Sequence, residues 1–202
     1  MNLTMRSGIP WDSLVEDIVT IFEKKGDCQY GGESISQLEH ALQCATLAEA
    51  EGSSQELIVA SLLHDLGHLL SDTEETSQND FHGAYKPRPS RTRSAPHEYK
   101  AIPQLKKLFG FAVSEPVRLH VEAKRYLCAI DSNYWESLSP ASKQSLKWQG
   151  RIFSEKEAKA FIALPFAQQA VQLRHWDDEA KVVDLSTRDL NYFVPFLTAC
   201  IK

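Results

Sequence analysis

The stretch SLLHDLGHLL, residues 61–70, sets His64, Asp65 and His68 among leucines. A carboxylate in so apolar a helix is costly unless it is paired or bound to a metal. Neighbours on one helix diverge by about 100°, so His64 and Asp65 cannot address one compact ligand in the same way. They can share a pair of ions if Asp65 bridges both and His64 binds one. His68 falls one turn beyond His64 on the same face, placed to contact a substrate held by the metals. Further imidazoles come from His40 upstream, His97 at the start of PHEYKAIPQLKKLFG and His120 in PVRLHVEAKRYL, with His82 and His175 in a long loop and beside an acid pair. Any one of these is more often a hydrogen-bonded structural group than a ligand, and it is the set that points to a metal. Mixed imidazole and carboxylate donors suit iron or manganese better than thiolate-bound ions. Cys28, Cys44, Cys128 and Cys200 are scattered without CxxC spacing and read as free thiols, mostly in the core. Lys124, one turn after His120, places a cation beside this cluster, where it pairs with a bound anion or else snorkels to solvent. Glu33 reads equally as a surface loop residue, and Asp177 with Asp178 as a solvated helix end.

The elements that must position these groups are helices. Apolar residues recur at helical spacing almost everywhere and no segment alternates, which predicts an all-α chain. WDSLVEDIVTIFEKKG opens it, with Leu14, Ile18, Ile21 and Phe22 on one face and Gly26 as its stop. SQLEHALQCATLAEAEG follows, capped by Ser36 with Glu39 closing a capping box. SQELIVASLLHDLGHLL is a third helix, also with a capping-box start, at Ser54, and apolar nearly all round, hence central. HEYKAIPQLKKLFG gives a short helix, and SEPVRLHVEAKRYLCAID another, with Ser114 as N-cap and Pro116 in the first turn. SNYWESLSPASKQSLKWQG reads as a loop and short helix, residues 154–182 as one or two helices around Pro165, and STRDLNYFVPFLTACI as the last.

At 202 residues and 43% hydrophobic the chain suits one domain, residues 1–202, with its core in about 30–180. The net charge of −5 argues against nucleic acid as a partner and for a small-molecule substrate. No apolar run is long enough to span a membrane and no secretory pattern opens the chain, so a soluble, cytoplasmic protein is expected.

The HD pair ending an apolar helix, with His40 before it and Asp177 after, resembles the HD-domain superfamily, whose members bind one or two metals between helices. More specifically, YGGES, QLEHALQCA, SLLHDLGHLL, EPVRLHVEAKRYL, SPASKQSLKWQG and LRHWDDEAKV resemble the mixed-valent diiron oxygenases related to myo-inositol oxygenase. Within that branch the likeness is to the enzymes acting on 2-amino-1-hydroxyethylphosphonate and its 2-trimethylamino counterpart. The resemblance implies an HD-domain helical bundle with two iron ions, Fe(II) and Fe(III), and O₂ as co-substrate. It implies C–P bond cleavage of an organophosphonate, giving phosphate and glycine or glycine betaine. His40, His64, Asp65 and Asp177 would hold one iron, and Asp65, His97 and His120 the other, with His82 competing for the role of His97. Tyr30 would occupy an iron position in the empty site, Glu33 would face the substrate amine, His68 and Lys124 would hold the phosphonate, and Ser142 would line the pocket. An HD phosphohydrolase acting on a nucleotide or phosphate ester is the alternative on the same metal ligands, disfavoured by the tyrosine and acid of YGGES. The departure is residues 71–96, longer than a compact link, whose Tyr85, Arg88, Arg91 and Arg93 suggest a lid over an anion.

Overall fold

A computed structural model of the chain describes residues 11–71 and 97–202, which are helical with no strand among them. The lid candidates and His82 lie outside the described residues, and so does the side chain of His97, although its backbone opens a helix.

Helix α1 (Trp11–Lys25) buries Val15, Ile18 and Phe22 as its inner line, with Leu14 and Ile21 only partly covered at its flanks. Helix α2 (Gln37–Ala50) starts on the expected capping box: the Ser36 hydroxyl accepts from the Glu39 N–H while the Glu39 carboxylate accepts from the Ser36 N–H. Between α1 and α2, the YGGES turn closes on Glu33 N–H donating to the Tyr30 carbonyl at 2.6 Å. Its Gly31 and Gly32 lie at φ 46° and 89°, a region a side chain strains to adopt.

The third helix departs from expectation. It runs as α3 (Gln55–Leu63) and restarts as α4 (Leu66–Ser71), broken at His64–Asp65. The His64 ring donates to the Ser61 carbonyl at 2.8 Å, the acceptor that Asp65 N–H would use in a continuing helix. At its start Ser54 caps Leu57 N–H, but Leu57 carries no carboxylate to complete a box. Residues 57–63 are buried without exception, so α3 is central as expected.

The segment after residue 96 also divides, into α5 (His97–Lys100) and α6 (Ile102–Phe109), because Pro103 cannot donate to a carbonyl in the preceding turn. Gly110, at φ 74°, ends α6 and begins α7 (Phe111–Ile130). Ser114 is therefore inside α7 rather than its cap, and Pro116 stands beyond the first turn, leaving the Ala112 carbonyl without its helical donor. The following polar stretch forms two short helices, α8 (Ser132–Ser137) and α9 (Pro140–Gln149), the second capped by Ser139. Helices α10 (Glu155–Ile162), α11 (Ala167–Glu179) and α12 (Leu190–Cys200) complete the described chain.

Helix α7 organises the packing, meeting α3, α6, α10 and α11 along its length, while α2 lies against α3 and α11. Its Val113 and Val117 join the main core of α1, α3, α6, α11 and α12; Leu119 and Ala123 join Phe161 and Ala170; Leu127 and Cys128 join Tyr134 and Leu146. The remaining face of α7, with His120 and Lys124, is turned toward Asp65 at the α3–α4 break, α9 and α11. No helix among the described residues is long and apolar enough to cross a membrane.

Because the capping box fixes the start of the helix that carries His40, Ser36→Ala should lower stability by about 1 kcal/mol. Urea unfolding checks this: the midpoint falls with the slope unchanged.

Candidate metal centre and anion pocket

Three imidazoles meet in the buried interior, each fixed from behind. His40 Nδ1 lies 2.7 Å from the Ala180 carbonyl, His64 Nδ1 2.8 Å from that of Ser61 and His120 Nδ1 2.6 Å from that of Val117. A carbonyl only accepts, so each Nδ1 carries the hydrogen and each Nε2 presents its free side to the centre. There the Nε2 atoms of His40 and His64 stand 3.1 Å apart. Two lone pairs at that separation repel unless a cation or a proton lies between them.

Carboxylates complete the arrangement. Asp177 Oδ1 is 3.5 Å from His40 Nε2, and Asp65 Oδ2 is 3.4 Å from His64 Nε2. The other oxygen of Asp65 faces His68 and His120, 3.8 Å from each Nε2. Asp65 thus separates two groups of nitrogen donors, the disposition that a carboxylate shared by two ions requires. Of the adjacent acids, Asp177 faces the imidazoles, whereas Asp178 is taken by Arg174 and the Tyr134 hydroxyl. Tyr30 stacks on His40 with ring centroids 3.7 Å apart and donates to Asp177 Oδ1 at 3.2 Å.

The charges follow from burial and neighbours. Burial opposes the Asp65 carboxylate, but the His64, His68 and His120 rings outweigh it and hold the group well below the usual range. Asp177 is likewise lowered against burial, chiefly by Arg174, whose Nη1 donates to Asp177 Oδ2 at 2.6 Å. Burial works against a charged His64, yet Asp65 raises it to about 9. Burial and the His64 charge push His40 and His120 down to about 4. The Tyr30 phenol is raised by burial and by Asp177, so it stays a neutral donor. The donor set fits a metal: His40 and His120 neutral, His64 holding at Nε2 a proton that a metal ion would replace, and two ionised carboxylates.

Beside this cluster opens a cavity of about 120 Å³ lined by His68, His120, Lys124, Ser142, Glu33 and Tyr30 among others. Lys124 is only 2% exposed and does not snorkel; its ammonium donates to Ser145 Oγ at 2.7 Å. Burial, with Arg174 adding, lowers it to about 8.

Several wall residues escaped the sequence reading. Ser145 and Gln149 recur with Ser142 on one face of α9, and Arg174 stands one turn before Asp177 and Asp178, both patterns visible in the spacing. Lys181 lay within LRHWDDEAKV but had no recognisable pattern of its own. Cys44, read as core, is also at the centre: with His40 and His64 it forms a group whose ligand atoms lie within 4.8 Å of one another, and its place one turn after His40 was the available signal. Trp176 is in the main core, and His175 is exposed beside Tyr134.

No family model matches the chain. It is 40% identical over 189 residues to a hydroxymethylphosphonate dioxygenase of Gimesia maris, covering 93% of this chain and 89% of that protein. It is 37% identical over 185 residues to the glycine-betaine-forming [1-hydroxy-2-(trimethylamino)ethyl]phosphonate dioxygenase of Leisingera caerulea, covering 92% and 89%. The chain belongs to the phosphonate dioxygenases. An uncharacterized protein of Acanthamoeba polyphaga mimivirus, 33% identical over 180 residues, is related as well. The resemblance drawn from the sequence therefore holds, and the protein is an oxygenase whose helical architecture fits the HD-domain bundle.

Since Lys124 is charged only below about 8, inorganic phosphate should bind more weakly as pH rises through that value. Lys124→Gln should weaken binding about tenfold or more and remove this pH dependence. Calorimetric titration of phosphate at fixed metal loading measures both.

Proposed function

We propose that this protein uses O₂ to cleave the C–P bond of a 1-hydroxyphosphonate at a two-iron centre. The observation that carries the reading is Asp65, whose two oxygens face different sets of imidazoles beside a cavity containing a buried lysine. The two named relatives support the substrate class, since the compounds in their names share a C1 hydroxyl and a phosphonate and differ in the rest.

His40, His64, Asp65 and Asp177 would hold one iron; Asp65 and His120, with His97, would hold the other. Bound iron would supply the reduction of O₂ and positive seats for the substrate's oxygens. The chain's own groups do the positioning. Lys124, held by Ser145, neutralises the phosphonate, and His68 and Ser142, in the wall of the same cavity, help bind it. Tyr30, released from Asp177, leaves room at the carboxylate for the metal. Arg174 keeps Asp177 ionised and aimed. In the net reaction C1 passes from alcohol to carboxylate and phosphate departs; the substrate gives up the four electrons that O₂ takes, so no external reductant is consumed. The organic product is glycine betaine or glycine from a 2-trimethylammonio or 2-amino substrate, and formate when C1 carries no further carbon.

Protein loaded with iron under anaerobic conditions should, on admission of air, consume O₂ and release phosphate from a 1-hydroxyphosphonate in equal amounts. Phosphate release of the same rate without O₂ would point to a hydrolase and contradict the proposal.

A further inference from the structure

Lys181 has no part in that reaction as described, yet its ammonium stands in the wall of the same cavity. It donates to Ser142 Oγ at 3.0 Å, lies 3.6 Å from Asp178 Oδ1 and reaches within 4.0 Å of Glu33 Oε1. Both Lys181 and Glu33 are largely withdrawn from solvent, with side chains 11% and 19% exposed. Glu33 is satisfied a second time by the Ser139 hydroxyl at 2.6 Å.

A carboxylate in the wall of an anion-binding cavity is where a cationic substituent of the substrate would be received. Here that carboxylate already has a cation. A substrate bearing an ammonium at C2 would have to displace Lys181 from Glu33 or lie beside a like charge, whereas one without a substituent leaves the pair intact and gains a further positive charge near its phosphonate.

We propose that Lys181 is a specificity-determining residue which, paired with Glu33, selects phosphonates lacking a cation at C2 and disfavours 2-ammonio substrates. This deepens the proposed function and rests on it. Hydroxymethylphosphonate represents the favoured class and [1-hydroxy-2-(trimethylamino)ethyl]phosphonate the disfavoured one.

The test compares kcat/KM for these two compounds in the iron-loaded protein and its variants, so that any loss of folded or metallated enzyme cancels in the ratio. The wild type should prefer hydroxymethylphosphonate. Lys181→Met should shift the ratio toward the trimethylammonio compound by about tenfold or more, because Glu33 is then free to receive its charge. Lys181→Arg should keep the wild-type ratio, and Lys181→Met combined with Glu33→Gln should lose the shift. A wild-type preference for the trimethylammonio compound, or a ratio that Lys181→Met leaves unmoved, overturns the inference. A wild type that turns over neither compound while its iron is in place overturns the proposed function itself, and the inference with it.

Discussion

Three imidazole N–H groups donate to main-chain carbonyls, and from that constraint the interior of this protein follows. Once each Nδ1 is committed, the Nε2 atoms have no choice but to face inward, where His40 and His64 come to 3.1 Å. An apolar core has no use for such an arrangement, since facing lone pairs repel and two nearby carboxylates remain desolvated. A proton on His64 Nε2, or a metal ion in its place, reconciles these groups. The same bonds shape the backbone: His64 takes the carbonyl that would have continued α3, so Asp65 falls at a break, and His40 secures the last turn of α11 through Ala180.

Around this centre the positive charges are graded by how they are held. Arg174 is locked between Asp177 and Asp178 and serves to position a carboxylate. Lys124 rests on a neutral hydroxyl, so its charge is the one most available to an anion. Lys181 lies between, shared among Ser142, Asp178 and Glu33. On the proposed reading, a single pocket would divide metal holding, anion seating and discrimination among three cations whose distances to the acids differ.

Much of this was legible in the chain. The central burial of α3 and the capping box at Ser36 rested on local periodicity and residue type, which a sequence carries directly, whereas the choice among the imidazoles and acids, Asp177 over Asp178 above all, came from the resemblance to the diiron oxygenases. The break at His64–Asp65 was not, because it depends on a side chain capturing a helical carbonyl, and an unbroken apolar pattern gives no sign of it. The same holds for α7: its start is set by Gly110 adopting a positive φ, which overrode Ser114 as the apparent cap. Pairings across the fold were invisible for a different reason. Nothing local says that Tyr134 joins Asp178 or that Lys181 meets Glu33, since each depends on how distant segments pack. Cys44 shows the limit of residue type, for a lone buried cysteine reads as core until its neighbours are known.

The central claim is that Asp65 divides two metal positions. X-ray diffraction of the iron-loaded protein at the iron absorption edge tests it most directly. The account predicts two anomalous peaks, one among His40, His64, Asp65 and Asp177, the other against Asp65 and His120. A single peak enclosed by His40, Cys44 and His64, with none on the His120 side of Asp65, would contradict it.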